Sequence, residues 1–224
     1  MKNFIFLSPN FPDNYWNFCR QLRYNGMRVL GIGDCPYDNL TDELKESLDE
    51  YYKVSSLENY DEVYRAVAFF LHKYGRADWL ESNNEYWLER DAQLRKDFNI
   101  QTGFHPDDMP CVKYKSRMKE RYLLAGIPVA RYCMAETPEI CSKFISEVGY
   151  PVIVKPDSGV GAVSTFRISS EEDLDEFFRC KDENCYIMEE FIDGTINSYD
   201  AIVDSKGEPL FETGNVTPIS LMDV

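Results

Sequence analysis

The chain has 224 residues, 44% of them hydrophobic, and 24 Lys+Arg against 39 Asp+Glu give it a net charge of −15. That length and apolar content can bury a sizeable core in more than one domain, while the acidic balance excludes nucleic acid or an anionic membrane as the main partner, since counterion release needs a basic face. Seven scattered cysteines without a Cys-x-x-Cys pair argue against a zinc site or disulfide framework and fit a reducing, cytoplasmic compartment.

The start of the chain holds too short an apolar stretch for a secretory signal, and no segment approaches the roughly eighteen apolar residues of a membrane span. The first half alternates strands and helices. Residues 4–7 read as a buried strand, 14–24 as a helix closed by Asn25-Gly26, and 28–32 as a second strand. After the turn-rich 34–39 come a short acidic helix over 40–48, a strand over 51–54 and a long amphipathic helix over 60–74. A fourth strand over 78–80 and a helix over 85–97 follow. This alternation predicts parallel pairing in a Rossmann-like unit spanning residues 1–108.

The turn after the first strand reads Ser8-Pro9-Asn10-Phe11-Pro12-Asp13 and lacks the Gly-x-Gly-x-x-Gly fingerprint, so dinucleotide binding is not expected. Asp34 follows the second strand as a ribose-binding acid would, but a turn or cap role explains it more cheaply. Residues 103–110 read as a linker with two prolines and two acids. His105, Asp107 and Asp108 there are expected to serve turn chemistry rather than a metal, and His72 to be an ordinary helix residue.

Three segments of the second half carry the chemistry. The first, 113–128, is a basic helix with Lys115 at its start and Gly126-Ile127-Pro128 at its end. The second, 149–165, runs a β-branched strand (Val152, Ile153, Val154) into Lys155-Pro156 and a loop containing Ser158, Gly159 and Gly161. An ammonium beside a loop of free N–H groups suits a polyphosphate, though the strand and loop alone also suit an ordinary hairpin, with 162–168 as its second arm. The third, 185–192, is an apolar strand interrupted by Glu189-Glu190 between Met188 and Phe191, a pattern able to wall an adenine.

Lys115-Ser116-Arg117-Met118, then Ala125-Gly126-Ile127-Pro128, then 149–161, then Met188 to Gly194, in this order and spacing, resemble the ATP-grasp superfamily over roughly residues 109–216. The resemblance implies an α/β fold: a Rossmann-like domain (1–108), a first ATP-grasp lobe (109–184) and an incomplete second lobe (185–224). It implies that Lys115 and Lys155 contact ATP phosphates, Lys155 also lying near the adenine. Ser158, Gly159 and Gly161 would belong to a loop closing over the phosphates, and Glu189, Glu190, Phe191 and Ile192 would hold the adenine edge.

Two departures stand out. Val160, Ala162 and Ser164 replace further glycines, which predicts a stiffer loop, and Ile196-Asn197 occupy the place of an acid often used on the ribose.

Residues 199–203 and 210–211 read as a hairpin around a turn at 204–207. The acid and Glu-x-Asn pair that hold magnesium in this family are expected beyond the end of this sequence, since no Glu-x-Asn follows Glu190. The resulting expectation is the ATP-binding front half of a ligase, carbamoyl-phosphate-synthase-like in one version, using ATP and magnesium. Such a ligase activates a small carboxylate as an acylphosphate for capture by an amine, and this chain alone is expected to be catalytically incomplete. The alternative is a nucleotide-binding or interaction module without catalysis. An exposed strand edge in 186–224 is expected either to be mobile or to pair with a second copy as a homodimer.

Overall fold

The computed structural model describes residues 1–159, 164–204 and 206–217. Contacts divide the chain into two compact units, Met1–Val112 and Lys113–Val224.

In the first unit β1 (Lys2–Leu7), β2 (Met27–Gly33), β3 (Glu50–Lys53) and β4 (Trp79–Glu81) form a parallel sheet in the order β3-β2-β1-β4. The helices are α1 (Trp16–Tyr24), α2 (Asp42–Ser47), α3 (Tyr60–Tyr74) and α4 (Leu88–Asp97). The helices expected over 14–24 and 85–97 each open with a single 3₁₀ turn, Asp13–Tyr15 and Glu85–Trp87.

The apolar run of β1 is explained by a sheet covered on both faces. Ile5 and Leu7 join Leu30 and Ile32 against Val63, Ala66, Val67 and Phe70 of α3, whose spacing makes one helical stripe. Phe4 and Phe6 point the other way, into a cluster with Val29, Cys19, Leu40 and Leu44. Thr41 and Asn59 cap α2 and α3 by accepting the Leu44 and Glu62 N–H groups.

The segment expected as a linker runs into α5 (Met109–Lys113), with Met109 buried. The Asp108 carboxylate accepts the His105 backbone N–H at 2.9 Å, and His105 Nε2 lies 3.0 Å from the Ile100 carbonyl.

The second unit holds α6 (Lys115–Leu124), β5 (Tyr132–Met134), α7 (Pro138–Val148), β6 (Val152–Pro156), β7 (Phe166–Ile168), α8 (Glu171–Cys180) and β8 (Tyr186–Glu190). Its four-stranded sheet is antiparallel, in the order β5-β8-β6-β7. A separate hairpin pairs β9 (Ile196–Val203) with β10 (Pro209–Thr217), and residues 196–203 and 209–216 are all exposed.

The strand expected to open a new lobe at 185 therefore lies inside the sheet of the preceding segment. β8 is hydrogen-bonded on both sides and is no free edge, which confines the expected exposed edge to the hairpin. Val152, Val154, Ile168, Tyr186 and Met188 pack on Cys141, Phe144 and Ile145 of α7 and on Leu174 and Phe177 of α8. Among the described residues no helix is long and apolar enough to cross a membrane.

Candidate functional site

The registers decide which residues share the sheet face opposite that core. Ile153 lies across from Glu189, Glu189 from Tyr132, and Lys155 from Ile187, so Lys155 and Glu189 are diagonal neighbours on one face. Lys155 Nζ lies 2.7 Å from Glu189 Oε2. Lys119 of α6 reaches the same carboxylate, its Nζ 3.0 Å from Oε1, and also donates to the Ala130 carbonyl at 3.3 Å. The Oε1 contact is a close ion pair without hydrogen-bond alignment. Glu189 is only 8% exposed, and a buried charge persists only when paired. The trio of two ammoniums and one carboxylate leaves one positive charge in excess.

Asp157, on which sequence reasoning placed no role, fixes the start of α6. Its carboxylate accepts the Ser116 N–H at 2.7 Å and the Ser116 hydroxyl at 2.8 Å, and its carbonyl accepts the Lys115 N–H at 2.8 Å. An anion at a helix N-terminus satisfies orphan donors and complements the dipole. Asp157 is itself anchored, its N–H donating to the Cys185 carbonyl at 2.9 Å. Lys115 Nζ donates to the carbonyls of Pro156 and Gly159 at 2.9 and 3.0 Å, tying the helix start to the loop. Gly159 has φ +109°, a conformation that disfavours any side chain.

The other expected site residues separate. Ser158 is half-buried beside Asp157, while Gly161 lies outside the described residues. Glu190 turns to Arg131, whose backbone N–H and Nε donate at 2.7 Å each, and those hydrogen bonds hold its carboxyl below the usual range. The Glu190 side chain thus closes the sheet where β8 leaves β5. Phe191 stacks under the Arg167 guanidinium, 4.9 Å from ring centroid, and Ile192 is 63% exposed. The structure brings Lys155 and Glu189 together, and Lys115 with Gly159. Lys119 and Asp157 are the additions.

Among the described residues no group of three or more His, Cys, Asp or Glu side chains could hold a metal, so no magnesium ligand is assigned. The excess positive charge fits an anion.

Residues 129–216 match the model of the ATP-grasp domain. The chain is 28% identical over 113 residues to the C-terminal section of the carbamoyl phosphate synthase large chain of Methanopyrus kandleri, covering 48% of this chain and 21% of that protein. It is 28% identical over 145 residues to the L-arginine-specific L-amino acid ligase of Bacillus subtilis, covering 58% and 34%.

Among solved structures, the biotin carboxylase domain of the Hydrogenobacter thermophilus 2-oxoglutarate carboxylase, in complex with MgADP, ADP and bicarbonate, superposes with a TM-score of 0.68 at 18% identity. The match covers 94% of this chain and 52% of that one. Phosphoribosylglycinamide synthetase from Anaerococcus prevotii gives 0.66 at 20% identity, covering 95% and 51%. The chain thus spans a fifth to a third of these curated relatives and about half of these structures. Residues 129–216 thus match the ATP-grasp domain, and the ordered motifs together with the curated relatives make the chain similar to the ATP-grasp superfamily.

Proposed function

We propose that the second unit binds ATP or ADP for an ATP-dependent ligase that activates a small carboxylate as an acylphosphate for attack by an amine. The observation that carries this reading is the positive excess of Lys119 and Lys155 around the buried Glu189 carboxylate, beside the loop tied down by Lys115. Lys155 would engage phosphate oxygens. Backbone groups around Glu190 to Ile192 would hold the adenine edge, with Phe191 as an apolar wall, because the Glu190 side chain is engaged by Arg131. Ser158, Gly159 and Gly161 would cover the phosphates. ATP supplies the phosphoryl group, and these residues position it and neutralise its charge. Magnesium, a cytoplasmic setting and a homodimer belong to the same proposal.

Calorimetric titration of the 224-residue chain with ADP tests it. Binding is expected, and Lys155→Ala should cost about 1.5–3 kcal/mol, the scale of one charge-assisted phosphate contact. Equal affinity in both proteins would remove Lys155 from the site.

A further inference from the structure

The two lysines that share Glu189 are not equivalent. The Lys119 side chain is 13% exposed, donates to the Ala130 carbonyl and lies 5.5 Å from the ring centroid of Tyr132. The Lys155 side chain is 28% exposed and has Glu189 as its one recorded polar partner among the described residues. A buried carboxylate is costly unless a cation stays with it. Any anion that draws Lys155 away would strand Glu189 if Lys155 were its sole cation. Lys119 prevents that, being held in place by contacts that do not involve Lys155. A lysine ammonium on a flexible stem is suited to such an exchange of partners.

Resting on the nucleotide reading above, we infer that Lys119 is a positioning residue: it retains the Glu189 carboxylate when Lys155 leaves that carboxylate for a phosphate. Glu189 then acts as a competitor for Lys155, and Lys119 weakens the competition.

The test is ADP titration of four variants of the 224-residue chain. Lys119→Met leaves Glu189 bound to Lys155 alone and should weaken ADP binding about tenfold or more. Lys119→Arg keeps the cation and should bind within about threefold of the parent. Lys119→Met/Glu189→Gln removes the competitor and should recover most of the lost affinity, a suppression that a purely structural role for Lys119 does not produce.

Glu189→Gln alone should bind ADP at least as tightly as the parent. It keeps the inference testable should Lys119→Met fail to fold, since weaker binding by Glu189→Gln would overturn it. Unchanged affinity in folded Lys119→Met, or a double variant as weak as Lys119→Met, would also overturn it, leaving the nucleotide reading intact. No ADP binding by the unaltered chain would overturn both.

Discussion

Asp91 shows how much one buried carboxyl can impose on the first unit. Burial, and then the neighbouring Glu81 carboxylate, push it well above the ordinary aspartate range. Its Oδ2 accepts the Ser82 N–H at 2.9 Å and the Ser82 hydroxyl at 2.5 Å, while Oδ1 has no hydrogen-bond partner among the described residues. Arg95 pairs with Glu81 at 2.8 Å. Because the folded state holds this proton more tightly than the unfolded chain, its contribution is fully present below about pH 4 and is lost as pH rises through the raised value. Asp91→Asn keeps an acceptor for Ser82 without the titration. Thermal melts from pH 4 to 8 should show the variant close to the parent at the acid end and more stable at the basic end; parallel profiles would contradict this. The sequence lists Asp91 as one more acid of an acidic chain, and Lys119 as one of five neighbouring basic residues. Lys119 does lie one helical turn after Lys115, the one signal that both serve the same face.

At the scale of elements, the start of α6 depends on Asp157, forty-one positions beyond Ser116. Asp157→Ala removes both hydrogen bonds to Ser116 and should cost about 1–3 kcal/mol of stability in the second unit. It should also weaken ADP binding, since Lys115 and the loop lose their shared anchor. Unchanged melting and affinity would show that Tyr114 and the preceding chain suffice to start the helix. The helices α7 and α8 escaped the sequence reading although both announce themselves locally. Thr137 before Pro138 accepts the Ile140 N–H, and Ser170 with Asp173 forms a capping box. The β-branched run Val152–Val154 marks β6 in the sequence, whereas β5, only three residues long, carries no comparable signal.

For the whole molecule, exposure predicts where the backbone opens. Amides of β1, β2, β6 and β8, buried and paired, should exchange slowest, and those of β9 and β10 fastest. Equal protection of residues 196–217 would mean the hairpin is covered, and light scattering then shows whether a second copy covers it. The sequence by itself determined the alternating parallel unit, because hydrophobic periodicity and turn residues are local signals. It also determined the order and spacing of the ATP-grasp motifs, which survive in the primary structure. Tertiary structure alone decided that β8 lies between β5 and β6, that Glu190 belongs to Arg131, and that Lys119, Lys155 and Glu189 meet. Those facts depend on register and on side chains brought together across distant segments, where a shift of one residue would turn each to the opposite face.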